Sequence, residues 1–364
     1  MPLNRSASVR IAGAIVLTVA AVVIAVYLQR AAVAVWVAER ALLRIAANSN
    51  PLSSLEDGLH VGLCGAGSPF PDPERSGPCT VVIAGRDMFV VDAGGGSAVQ
   101  LARMQLNPGQ LRAVLLTHYH SDHIGGLGDL LLQRWIGANA SQPLPVYGPQ
   151  GLQQMLAGVE AAYRLDAGYR TAHHGETVAP PAGFGTEPRP FDVSVEARRV
   201  LIDSPSLQVV AFRVDHGPVS PAVGYRFRYK DRTVVISGDT RRSAAVQREA
   251  QGVDLLVHEA LSPQLVRMME HSFARAERPR LAQIMADIRN YHASPVEAAQ
   301  VAAAAGVRML VFNHIVPPLP VPGLEAKFLE GTAKEFAGPI QVGRDGDWFS
   351  LPAGGRRIER SRRP

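Results

Sequence analysis

Seven consecutive residues, Thr117-His118-Tyr119-His120-Ser121-Asp122-His123, follow directly on the apolar run Val114–Leu116, and they restrict the fold more than any other stretch of the chain. Three imidazoles and a carboxylate within six positions are a poor use of a loop that serves only structure. Metal ligation needs them at this spacing: His118 and His120 can face one ion, while Asp122 and His123 turn toward a second. Such a loop must sit at the open end of a strand, where other strands can bring further donors.

Those donors stand at three other strand ends. His216 follows Val214, Asp239 follows Ile236-Ser237-Gly238, and His314 follows Val311-Phe312. An aspartate between two cations can bridge both and hold them about 3.5–4 Å apart. Strands are expected at His60–Leu63, Thr80–Ala84, Met88–Val91, Val114–Leu116, Leu207–Arg213, Ala222–Tyr229, Thr233–Ser237, Leu255–Val257 and Met309–Phe312, all rich in β-branched or aromatic residues. Short strands of this kind suggest sheets with helices packed outside. Ser294-Pro295-Val296-Glu297 starts a helix with an N-cap, a first-turn proline and a capping-box glutamate, and Gly306 stops it.

These residues resemble the metallo-β-lactamase superfamily, in its arylsulfatase-like and ribonuclease Z-like branch. The resemblance runs from about Gly62 to Pro318. It includes Gly62-Leu63-Cys64-Gly65-Ala66-Gly67, Val91-Asp92-Ala93-Gly94, the His118–His123 loop, Val214-Asp215-His216-Gly217, Gly224-Tyr225-Arg226, Ser237-Gly238-Asp239-Thr240, His258-Glu259-Ala260, Tyr291-His292-Ala293-Ser294 and Asn313-His314. It implies an α/β fold, the αββα sandwich of that family. His118, His120 and His216 are expected on a first Zn2+, Asp122, His123 and His314 on a second, and Asp239 on both; Mn2+ or Fe2+ would also suit such donors. A hydroxide bridging the ions is the expected nucleophile, oriented by Asp122. Asp92 would accept a hydrogen bond that fixes a ligand imidazole or its loop. Glu259 and His292 would assist the leaving oxygen; the alternative is a buried structural acid and a neighbour of a helix N-terminus. His258 is expected to be structural.

One departure bears on the substrate. The tRNA-processing relatives carry a long basic arm between the counterparts of Arg226 and Ser237, whereas ten residues separate them here. The expected reaction is therefore hydrolysis of a small sulfate ester or phosphodiester, arylsulfatase-like, with a ribonuclease Z-like enzyme acting on RNA as the disfavoured alternative. A lactonase, or a membrane-tethered binding protein without catalysis, stands further behind. The resemblance also admits a homodimer.

Charge supports that preference. Gly354–Pro364 holds five arginines against Glu359, so it carries +4 of the formal +5 and leaves about +1 for the rest, without the broad basic footprint of a nucleic-acid binder. Residues 351–364 read as a frayed Arg-rich tail, or else one that touches a membrane surface or polyanion.

Ile11–Leu28 is an uncharged run of 18 residues, near the minimum for crossing a bilayer. Residues 1–30 are read as a membrane anchor, with a cleaved signal as the rival. Residues 31–57 form a linker or helix, and 58–350 a hydrolase domain outside the cytoplasm. Cys64 and Cys79 could pair in an exported domain or stay as buried thiols in a cytosolic one. His173-His174 is read as solvated loop, with the site mouth as the other reading. The apolar positions of Leu265–Ile288 are read as core, with a dimer contact or substrate pocket as alternatives.

Overall fold

Runs of β-branched and aromatic residues between short turns build two sheets. The computed structural model describes residues 5–47, 51–194 and 196–364. In the first sheet, β1 (Gly58–Gly65), β2 (Cys79–Ala84) and β3 (Asp87–Val91) are antiparallel, and β4 (Leu111–Leu115), β5 (Leu144–Gly148) and β6 (Thr186–Pro190) continue in parallel. In the second, β7 (Arg198–Asp203), β8 (Leu207–His216), β9 (Val219–Tyr229) and β10 (Arg232–Ile236) are antiparallel. They are followed in parallel by β11 (Leu255–Leu261), β12 (Met309–Val316) and β13 (Ile340–Val342). The chain then returns to the first sheet through β14 (Asp347–Pro352) and β15 (Glu359–Arg362).

Alternation along the strands turns one apolar set of each sheet inward, where Leu59, Val61 and Phe89 meet Val209, Phe227 and Val257 in a shared core. The opposite face of the second sheet, with Val235, Leu256 and Leu310, is covered by Ala298, Val301 and Ala302 of the helix Pro295–Ala305. That helix has the expected capping box: the Ser294 hydroxyl accepts from the Glu297 N–H and the Glu297 carboxylate accepts from the Ser294 N–H. Gly306, at φ +64°, ends it.

Several expectations need correcting. The tail is ordered: buried Arg232 donates to the carbonyls of Gly355 and Arg357, Arg308 donates to that of Arg356, and β15 then pairs with β14. The hydrolase unit accordingly runs from Leu55 to Pro364. His173 and His174 lie in the last turn of the helix Leu152–His174, not in a loop. Leu265–Ile288 forms two helices, Pro263–Arg275 and Pro279–Ile288. They bury Leu265, Val266 and Met285 and expose Met268, Leu281 and Ile284, so the stripe is only partly core. Cys64 and Cys79 form a disulfide joining the end of β1 to the start of β2.

The N-terminal unit comprises the helices Arg5–Leu28 and Arg30–Ala47. No single helix among the described residues is long and apolar enough to cross a membrane. The pair Ala12–Leu28 and Arg30–Leu43, bent by 76°, meets the requirement of length and composition together.

Candidate active site

The polar residues singled out from the sequence as ligands stand at or just beyond strand ends, with two exceptions: Asp122 and His123 lie in the short helix Ser121–Ile124, and His314 lies inside β12, which continues to Val316 instead of ending at Phe312. β4 passes through Leu116 and Thr117 into the histidine loop, and the neighbouring β3 ends at Asp92, held at φ +60°. The Asp92 carboxylate accepts from the Thr117 N–H (2.8 Å), the Thr117 hydroxyl (2.8 Å) and His123 Nδ1 (2.8 Å). Because that hydroxyl donates to Asp92, it accepts from His118 Nδ1 at 3.0 Å. His216 Nδ1 donates to the Tyr291 carbonyl at 3.0 Å. Each of these contacts fixes a tautomer and leaves Nε2 as a bare lone pair. Gly94 allows the loop its position, since a Cβ there would stand 2.3 Å from the Asp122 carbonyl oxygen.

The second sheet brings the other donors to the same place. Oδ2 of buried Asp239 lies 3.2 Å from His314 Nε2, 3.3 Å from His123 Nε2, 3.7 Å from His216 Nε2 and 4.0 Å from His118 Nε2. Asp122 Oδ2 is 3.2 Å from His314 Nε2 and 3.5 Å from His123 Nε2, and His120 Nδ1 is 3.4 Å from His216 Nε2. Donor atoms of His118, His120 and His216 lie within 4.8 Å of one another, as do those of Asp122, His123 and His314. Asp239 thus stands between two triads.

Three observations test whether cations fit here. Buried Nε2 of His118 and of His123 has no hydrogen-bond partner, which is costly unless an ion takes the lone pair. A cavity of about 20 Å³ lined by His123, Asp239 and His314 has room for one small species. Electrostatics points the same way. Burial and neighbouring histidines push the His118 imidazole well below its ordinary pKa, and burial brings His216 to about 4, so both are neutral ligands at neutral pH. For His123 burial opposes charge, but the Asp239 and Asp92 carboxylates together outweigh it and raise the pKa well above the ordinary imidazole value. Positive charge is wanted between these groups, and divalent cations supply it.

Glu259 and His292 border this centre. Glu259 Oε1 accepts from the Ala293 N–H (2.9 Å), the Thr240 N–H (3.2 Å) and His292 Nδ1 (3.2 Å), while Oε2 is buried without a partner. Burial, then the nearby Asp239 charge, raises the Glu259 pKa well above its usual value. With Nδ1 engaged, His292 keeps Nε2 free; its ring lies 5.0 Å from that of His216 and 5.4 Å from that of His314. His258 is absent from the donor clusters; it is buried and bonds the Glu259 carbonyl through Nδ1. Sequence reasoning missed Thr117, Tyr291 and Thr240. Thr117 had a signal, its place directly before the ligands, whereas Tyr291 acts through its carbonyl, which any residue type carries.

The family model of the metallo-beta-lactamase superfamily matches residues 72–282, and the chain belongs to that superfamily as a metal-dependent hydrolase. Within it the chain falls in the ribonuclease Z-like branch. It is 39% identical over 289 residues to Ribonuclease Z of Mycolicibacterium paratuberculosis (strain ATCC BAA-968 / K-10), covering 79% of this chain and 96% of that protein. Against Ribonuclease Z of Mycobacterium avium (strain 104) the identity is 38%, with the same coverage. Two solved structures show the same fold. The metallo-beta-lactamase fold protein YhfI from Bacillus subtilis is 19% identical, with a TM-score of 0.58 over 81% of this chain and 100% of that one. The short form of human tRNase Z is 22% identical, with a TM-score of 0.58 over 80% and 99%.

Proposed function

We propose that the protein hydrolyses a ribonucleotide phosphodiester, carried in a short strand or a single nucleotide, with two zinc ions held by His118, His120 and His216 on one side, Asp122, His123 and His314 on the other, and Asp239 between. The observation that carries this is the Glu259–His292 pair set beside the two ligand triads. The names of the relatives, Ribonuclease Z, favour a phosphodiester over the sulfate ester preferred from sequence. Imidazole and carboxylate donors suit zinc. Bound there, the cations supply Lewis acidity and make water a nucleophile near neutral pH.

The side chains divide the remaining work. Asp122, its Oδ2 beside His314, orients the attacking water and takes its proton. His292, its Nδ1–H held by Glu259, gives the leaving oxygen an Nε2 proton as the imidazolium; burial lowers its pKa to about 4, so it takes up that proton from solvent only once the anionic phosphodiester lies beside it. β9 and β10 are joined by Lys230-Asp231 alone, so no arm rises there to grip a folded tRNA. The substrate is therefore one that needs no such grip. The N-terminal helices, whose apolar side chains such as Leu17 and Leu28 are exposed, serve as a membrane anchor, and the disulfide is in keeping with an oxidising compartment outside the cytoplasm.

The test offers the detergent-purified, zinc-loaded full chain bis-nitrophenyl phosphate, nitrophenyl sulfate, a short single-stranded RNA, a cyclic nucleotide and a 3′-extended tRNA precursor. Cleavage of bis-nitrophenyl phosphate and of the short RNA or the cyclic nucleotide, lost in His292→Ala for poor leaving groups first, is expected. Preference for the sulfate ester would sink the proposal, and efficient tRNA processing would refute the substrate size.

A further inference from the structure

The arginine-rich end of the chain has no part in the hydrolytic site, yet it is folded, and it borders a cavity of about 700 Å³. That volume is within the range of nucleotide-sized ligand sites. Four arginines line it: Arg75, which is paired with Asp72, and three more, Arg362 and Arg363 from β15 and its end and Arg103 from the last turn of the helix Ser97–Arg103. Arg363 is half-buried, stacked 4.0 Å over the Trp348 ring and donating to the Met104 carbonyl; Arg362 Nε donates to the Asp345 carbonyl. Arg103, Arg362 and Arg363 make no ion pair among the described residues.

The acids on the same wall are already engaged. Asp72 pairs with Arg75 at 3.3 Å, Glu74 pairs with Arg344 at 3.1 Å, and the Asp345 carboxylate accepts from the N–H groups of Ala66 and Ser76. Ser76 and Gln100 add neutral hydrogen-bonding groups. The cavity is thus a preformed concavity with unpaired arginine forks, the geometry that takes phosphate oxygens two at a time. We infer that it binds a phosphate-bearing ligand: either a phosphate of the substrate strand remote from the scissile bond or a free phosphorylated molecule.

The cavity stands close behind the catalytic loop. Gly77, next to Ser76, donates to the Gly95 carbonyl, and a Cβ on Gly77 would stand 3.1 Å from the Asp122 carbonyl oxygen.

The test is calorimetric titration of full-length Asp239→Asn protein, checked for folding by circular dichroism, so that capture at the metal centre is suppressed. The probes are inorganic pyrophosphate, a 5′-phosphorylated RNA trinucleotide and the same trinucleotide without its phosphate. Saturable binding of a phosphorylated probe, weakened at least about tenfold by Arg103→Ala or Arg362→Ala, is expected. Stronger binding of the phosphorylated trinucleotide assigns the site to a strand; equal or stronger binding of pyrophosphate assigns it to a free ligand. No saturable binding, or affinities indifferent to both arginine substitutions, overturns the inference. Hydrolysis of bis-nitrophenyl phosphate by the wild-type chain is read separately: cleavage without saturable probe binding overturns this inference and leaves the hydrolytic reading standing.

Discussion

The two sheets supply the site in different ways. From the first sheet come four donors, His118, His120, Asp122 and His123, all in one segment after β4; from the second come three on separate strands, His216 at the end of β8, Asp239 just after β10 and His314 near the end of β12. The loop is fixed locally, by Thr117 directly before the ligands and by Asp92 one strand away. The other three depend on the register of β8 to β12, for instance Glu259 opposite Asn313, one residue before His314. Half of the centre is therefore a local motif and half a product of tertiary assembly. Asp239 joins the halves, since one of its oxygens lies within 4.0 Å of four imidazole nitrogens.

The largest effect should come from removing that joint: Asp239→Ala drops phosphodiester hydrolysis to background, measured against bis-nitrophenyl phosphate. Retained activity would show that the halves work apart. Next, Asp92→Asn weakens the local half without touching a proposed ligand; an affinity loss of about 10- to 100-fold for zinc is expected by competition with a chelator. An unchanged affinity would mean that the loop holds itself. Replacing both Cys64 and Cys79 by Ala opens the covalent tie over a sequence separation of 15 residues. By loop entropy this costs about 3 kcal/mol in denaturant unfolding, with metal content preserved if the tie only limits the unfolded chain.

The smallest effect concerns pH. Burial lowers the His258 pKa to about 4, below its unfolded value near 6.5. The unfolded chain therefore binds the extra proton first, and stability that is full above pH 6.5 declines as pH falls toward 4. His258→Gln should flatten that decline in unfolding curves, and an equally steep curve would place the acid sensitivity elsewhere.

The same division explains what could be read from the sequence. The loop was legible because four ligands in a run have few other uses, and the helix after Ser294 because its cap, proline and glycine all agree. The second-sheet ligands could be named as polar residues at strand ends, but only the fold shows that they meet at Asp239. β6, with Pro188 and Pro190, and β15, Glu-Arg-Ser-Arg, carry no apolar alternation. Their strand state comes from a neighbour's edge, β5 and β14 respectively, and for the tail from Arg232 and Arg308 gripping backbone carbonyls. The Tyr291 carbonyl on His216 left no trace in side-chain identity.

The central claim is that two half-sites share Asp239, and metal counting on the zinc-loaded full chain tests it most directly. By elemental analysis the protein should hold about two ions per chain, about one in His216→Ala or His314→Ala, and about none in Asp239→Ala. A single ion in the wild type, or two retained in Asp239→Ala, would contradict it.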